Sequence, residues 1–256
     1  MLNKTLGFAL AAGLTCAGSA FAADLPVREP APAYAPPVFT WTGFYAGLNA
    51  GGASTSAKLG WTCLPTCLDA PAAIVERQNL SNRTLRPTGF VGGGQVGYNW
   101  QTGSFVFGIE ADADFLTGRR GSTLPLSAAF PGNSITQSVR ADFFGTVRGR
   151  LGFAVDRLLV YATGGLAVGH FNFADSSLYP GSAQAVSASK TKTGWTVGGG
   201  VEYAVWQNWS VKAEYLYSDF GTFTNSSSLP APAIITYIHR HKLTENVLRL
   251  GINYRF

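Results

Sequence analysis

Past residue 23 the chain has no apolar run near the ~20 residues that a membrane-spanning helix requires. Instead, apolar and polar residues alternate with period two in segments of roughly 10–14 residues, as in strands whose two faces meet different surroundings. The last segment is the clearest. Phe256, Tyr254, Ile252, Leu250 and Leu248 share one face, and Arg255, Asn253, Gly251, Arg249 and Val247 share the other. The third sets Phe105, Phe107, Ile109, Ala111, Ala113 and Phe115 against Glu110, Asp112 and Asp114. The fourth sets Val139, Ala141, Phe143, Val147, Leu151, Phe153 and Val155 against Arg140, Asp142, Arg148 and Arg150. With 46% hydrophobic and only 13% charged residues, the composition excludes disorder for the bulk of the chain.

Eight strands are predicted: 41–54, 88–101, 104–116, 138–155, 158–174, 191–206, 209–223 and 244–256. The first and fifth alternate less cleanly, which leaves their register open. Thr102-Gly103, Asp156-Arg157 and Gln207-Asn208 read as tight turns. The stretches 55–87, 117–137, 175–190 and 224–243 read as long loops rich in Ser, Pro, Asn and Thr. Short and long connections in alternation predict an eight-stranded antiparallel up-and-down transmembrane β-barrel over residues 41–256. An even strand count places both termini at the short-turn, periplasmic end.

The N-terminus reads as a cleaved signal peptide over residues 1–22: Lys4, an apolar stretch from Leu6 to Ala17, then Ala20-Phe21-Ala22 at the cleavage site. Residues 23–40, rich in Pro and Ala, read as an extended periplasmic leader. Cleavage removes Lys4 and lowers the net charge from +5 to +4. It also leaves two cysteines, Cys63 and Cys67, which in an oxidising compartment can close a small disulfide loop. Free thiols are the alternative, and no nearby His completes a zinc site.

Alternation alone does not say which face meets lipid. Large aromatics on the apolar face decide it: Trp100, Phe105, Phe153, Trp206, Trp209 and Phe256 toward the turn end, and Phe90, Phe115, Trp195 and Tyr217 toward the loop end. Two such girdles fit a bilayer's two interfaces. The polar face then lines the lumen, with Glu110, Asp112, Asp114, Asp142, Glu202, Glu214 and Glu245 against Arg140, Arg148, Arg150, Lys212, Arg249 and Arg255. Gly93, Gly97, Gly198, Gly200 and Gly251 on that face leave room for long chains. An eight-stranded barrel is just wide enough to be filled by side chains, so a salt-bridged plug is expected rather than an open pore.

The blocks WTGFYAGLNAGG (41–52), FVGGGQVGYNWQ (90–101), FVFGIEADADF (105–115), VRGRLGF (147–153), LVYATGGLAVG (159–169), GWTVGGGVEYAVWQNWSVKAEYLY (194–217) and the ending LRLGINYRF resemble alphaproteobacterial outer-membrane immunogenic proteins, small porin-family surface antigens. The resemblance covers essentially the whole barrel. It implies an eight-stranded barrel similar to the transmembrane domain of the major enterobacterial outer-membrane protein, without that protein's peptidoglycan-binding tail. It also implies that Phe256 is the terminal aromatic read by the barrel-assembly machinery. The length of 55–87 and its cysteines depart from the family pattern.

Other motifs carry less. Gly92–Gly97 satisfies G-x-G-x-x-G, but a strand rather than a helix follows, so nucleotide binding is not expected. His170, near Asp175 and Ser176, and His239 with His241, near Ser226–Ser228, read as solvated rim histidines; a Ser–His hydrolase or a His-pair metal or haem site is the alternative. Arg119, Arg120, Arg240 and Lys242 in the long loops are candidate contacts for the anionic groups of lipopolysaccharide. The expectation is a structural, host-facing outer-membrane protein with no catalytic, cofactor or metal residues. Its expected partners are lipid, the assembly machinery and host surface molecules, and no nucleic acid. A narrow porin-like channel for small solutes is the alternative.

Overall fold

A computed structural model describes residues 39–64, 71–125, 132, 134–179, 182–228 and 236–256. The expected signal peptide and residues 23–38 of the leader lie outside the described residues, as does the Cys63–Cys67 pairing. The elements are β1 (Gly43–Leu64), α1 (Pro71–Ser81), β2 (Thr84–Leu85), β3 (Thr88–Thr102), β4 (Phe105–Leu116), β5 (Arg119–Pro125), β6 (Ser134–Val155), β7 (Leu158–Tyr179), β8 (Ser182–Ala204), β9 (Trp209–Ser228) and β10 (Thr236–Arg255). Eight of these strands form an antiparallel ring, β1-β3-β4-β6-β7-β8-β9-β10, closed by β10 pairing with β1 from Tyr45↔Arg255 to Leu64↔Thr236. The short β2 pairs with β1, and β5 pairs with β6, outside the ring.

Strand–turn logic explains the short connections. Gly103-Ser104 joins β3 to β4, one residue beyond the expected turn, with Gly103 at φ 60°. Asp156-Arg157 joins β6 to β7 with Asp156 at φ 50°, a left-handed conformation that Asp tolerates in tight hairpins. The long connections differ from expectation, because much of 55–87, 117–137, 175–190 and 224–243 is strand. β7 and β8, for example, stay paired out to Tyr179↔Ser182. These extensions rise above the lipid, where strands need no apolar outer face. Ser- and Thr-rich segments therefore lack the periodic signal.

Within the membrane the faces sort as expected. In β4, Phe105, Phe107, Ile109 and Phe115 are exposed, while Val106, Glu110, Asp112 and Asp114 are buried. Trp100, Phe153, Trp195, Trp206, Trp209, Phe90 and Phe256 are likewise exposed at the two ends of the belt.

Above the belt the pattern inverts. Ala57, Leu59, Leu85, Val139, Phe171, Phe173, Phe223 and Leu243 form a buried cluster inside the barrel, and polar side chains face out. Two bulges help the inversion. In β6 the register slips between Ala141 and Phe143, so buried positions change from odd (135, 137, 139, 141) to even (144, 146, 148, 150). In β9 and β10 it slips near Gly221, whose φ of 71° suits a residue without Cβ, and the buried face moves from Phe220 to Phe223.

The β6 bulge corrects the expected face of four residues. Val139 and Ala141 point inward, not to lipid. Arg140 points outward, with 59% of its side chain exposed, and Asp142 sits half-buried at the bulge bonded to Arg140 Nε. Period-two reading continues one phase through a bulge and so misplaces every residue beyond it.

A charge at mid-depth on the lipid face tests this orientation. Val147→Arg should lower stability by about 2–4 kcal/mol in lipid vesicles, against little change for Gln207→Arg in a turn, read from urea midpoints of the folded gel band.

Candidate functional site

Alternation and register assemble the interior. β4 places Glu110, Asp112 and Asp114 on successive inward positions, and Glu110 faces Arg148 of β6 directly across the ladder. In the same way Glu214 of β9 faces Arg249 of β10, and Glu202 of β8 faces Lys212 of β9. Five carboxylates and four bases thus meet within one layer. All nine are nearly inaccessible.

The contacts reach across the lumen as well as along the wall. Arg148 bonds Glu110 beside it and donates from Nη2 to Asp112 at 2.8 Å and from Nη1 to Glu214 on the far wall at 3.0 Å. Arg249 donates from Nη1 to Asp114 at 2.5 Å and from Nη2 to Asp112 at 2.8 Å and Glu214 at 2.7 Å. Lys212 Nζ lies 3.0 Å from Glu110. Arg150 bonds Glu202, which also accepts from Ser210 Oγ at 2.5 Å and Asn253 Nδ2 at 2.9 Å. Burial of such groups is tolerable only with pairing and hydrogen bonding of this density.

Sequence reasoning missed two members of this layer. Tyr45 OH donates to Glu110 at 2.7 Å, and Tyr161 OH donates to Glu214 at 3.0 Å with Arg150 lying 3.6 Å over its ring. Both tyrosines come from the strands that alternate poorly, because an inward Tyr reads as apolar. Their glycine partners are the available signal. Tyr45 pairs with Gly97 and Tyr161 with Gly200, where a Cβ would fall 2.4 Å and 2.7 Å from the tyrosine oxygen. Each aromatic folds over a glycine that leaves space for it.

Apolar layers close the barrel on both sides of the ions. At the turn end Trp41, Val106, Ala154, Leu159 and Ala204 cluster, with Phe39 packed edge-on to Trp41 at 5.2 Å. Arg255 belongs here and not to the central network. Its guanidinium lies 4.5 Å from the Phe39 ring and donates to Gln207 O. At the loop end Val91, Phe144, Leu216 and Val247 cover the ions, with Glu245 buried nearby and accepting from Thr55 Oγ1 at 2.9 Å.

Above the outer girdle, and so outside the membrane-spanning part, His241 stacks on Phe223 at 4.8 Å and lies 4.9 Å from Phe173. Burial, and then the neighbouring His239, push His241 down to about 4. Asp175 lies 3.8 Å from His239 Nδ1 and is pushed up by burial, against the pull of Arg83, to about 6. His170 contacts Thr191 Oγ1 at 3.0 Å and Ser189 Oγ at 2.9 Å, and not Ser176 or Asp175, the partners that the alternative Ser–His reading would need. Among the described residues no group of three or more His, Cys, Asp or Glu side chains is placed to hold a metal ion. The loop-end cations Arg119, Arg120 and Arg240 are exposed, and Lys242 lies 3.6 Å from Asp219.

A closed antiparallel ring with an apolar belt outside and charges sealed inside defines a transmembrane β-barrel. The chain belongs to the outer membrane protein beta-barrel domain family, whose model matches residues 8–256. It is 39% identical over 251 residues to the 31 kDa outer-membrane immunogenic protein of Brucella melitensis, covering 94% of this chain and 95% of that one. It is 25% identical over 256 residues to the 25 kDa outer-membrane immunogenic protein of Brucella abortus, covering 99% and 98%. The crystal structure of Neisserial surface protein A is similar at TM-score 0.40 and 17% identity, covering 84% of this chain and 98% of that one.

Two outcomes follow from the interior. Arg249→Met strands buried carboxylates and should lower stability by about 3–5 kcal/mol, whereas exposed Arg86→Met should change it by under ~0.5 kcal/mol, both read from urea midpoints. His241 is neutral in the fold but takes up a proton on unfolding between pH 6.5 and about 4, so its burial makes stability fall as pH drops through that window. His241→Phe should keep the stack and flatten that part of the fall, measured by urea midpoints across the same window.

Proposed function

We propose that this chain is a non-conducting, non-enzymatic structural protein of the outer membrane. It braces the bilayer with a rigid filled cylinder and presents its loop end to the outside and to host surfaces. The observation that carries this reading is the bracing of opposite walls by Arg148 and Arg249, with apolar layers above and below. An ion crossing the barrel would have to displace two buried guanidiniums from several carboxylates each, a step opposed by several kcal/mol per broken contact. The names of the Brucella relatives, immunogenic outer-membrane proteins, support a surface-displayed role.

In this reading the turn end, with Phe39 and Phe256, faces the periplasm, and Phe256 is the aromatic that the assembly machinery reads. Arg119, Arg120 and Arg240 contact anionic groups of lipopolysaccharide. Lys242 contributes less, since Asp219 already partners it. The non-enzymatic reading is supported by the side chains around the histidines: Asp175 faces inward beside His239, while His170 faces outward, six residues from Ser176 on the same face of β7, and contacts Thr191 and Ser189 instead.

Planar-bilayer recording tests the reading. The wild-type barrel, inserted and verified by its heat-shifted gel band, should give no discrete current steps. Stable single-channel steps would instead support the narrow solute channel.

A further inference from the structure

The β6 bulge does more than correct a register. By turning Arg140 outward it sets that side chain directly beside Arg119, its Cα partner on β5. The row continues across the sheet to Asn172 on β7 and Ser189 on β8, all in register and all facing out. Arg119, Arg140, Asn172 and Ser189 line one cavity of about 310 Å³, together with Ser138 and Ser187. Like charges directly opposed across a ladder are unfavourable. The acid on this face, Asp142, holds Arg140 Nε and Asn172 Nδ2, and so orients the guanidinium without covering it.

Height identifies what the cavity meets. Phe143, paired with Phe115 of the outer girdle, is three residues below Arg140. Across the bulge that is only two ladder steps, since Phe143 pairs with His170 and Arg140 with Asn172, or about 7 Å along the strand and roughly 5 Å along the barrel axis at a tilt near 40°. The row therefore sits at the level of lipid headgroups, beside hydrocarbon rather than at the tip of a loop.

We propose that this cavity binds the phosphate of a phosphorylated glycolipid in the outer leaflet. The Arg119 and Arg140 guanidiniums take the phosphate, and Asn172 and Ser189 bond the sugar that carries it. Guanidinium forks match phosphate geometry, and charge-assisted bonds of this kind are the strong ones. The inference rests on the reading of the barrel as a closed envelope protein in contact with lipopolysaccharide, and gives that contact a defined seat.

The test reconstitutes the full barrel in vesicles containing either lipid A or enzymatically dephosphorylated lipid A. It reads the temperature at which the folded gel band is lost, and lipid retained in native mass spectra. Wild type should hold the phosphorylated lipid more tightly. Arg119→Gln and Arg140→Gln should each weaken it about tenfold, and the double variant should lose the difference between the two lipids. Arg157→Gln at the turn end should keep that difference. A double variant that folds and still prefers the phosphorylated lipid overturns the site. Competition by inorganic phosphate at equal strength overturns the lipid as its source. Either result with a current-silent barrel leaves the closed-barrel reading standing, whereas current with the lipid preference intact overturns that reading alone.

Discussion

In hydrocarbon every backbone N–H and C=O must find its partner within the protein, because an unpaired group there costs several kcal/mol. Long ladder pairing between β1 and β10 meets that demand, since it removes the last open edge of the sheet. Once the ring is closed, each strand has one face committed to lipid and one to a lumen of fixed width. The rest of the molecule answers what fills that lumen and what the strands do when they leave the lipid.

Charged side chains occupy the middle. Arginines from β6 and β10 reach acids on distant strands, so the same contacts that satisfy buried charge also tie opposite walls together. Removing one member would leave its partners buried with fewer counter-charges, Asp114 losing its ion pair outright in the case of Arg249, which makes the layer a cooperative unit. Apolar clusters lie on both sides of this layer. Above the outer girdle the chain behaves as a water-soluble barrel, apolar within and polar without. One continuous set of strands thus serves two solvents, and bulges at Asp142 and Gly221 reset the side-chain phase where the solvents change in β6 and β9.

Much of this was legible in the sequence because lipid enforces strict alternation. Strands such as β4 and the last half of β10 declare their faces residue by residue, and nine of the thirteen expected lumen charges lie in the central network, with Glu245 buried just above it. The exceptions have specific causes. Arg140 and Asp142 lie beyond a bulge that no composition signal marks. Arg255 is in the right phase but too near the turn, where Phe39 and Trp41 capture it. Tyr45 and Tyr161 were hidden by counting Tyr as apolar. Strand extensions past the girdle escaped because Ser and Thr alternate with nothing that contrasts with them. The side-by-side placement of Arg119, Arg140 and Asn172 depends on register between strands, which no single segment encodes.

The central claim is that lipid bathes one face of each strand up to the outer girdle and that β6 switches phase at Asp142. Spin labels placed singly along residues 134–155 in vesicles, read for collision with oxygen and with a water-soluble nickel complex, test it directly. Oxygen access should peak at odd positions from 143 to 153, with nickel access at even positions from 134 to 140. Oxygen maxima at Arg148 and Arg150, or one unbroken phase through residue 142, would contradict the account.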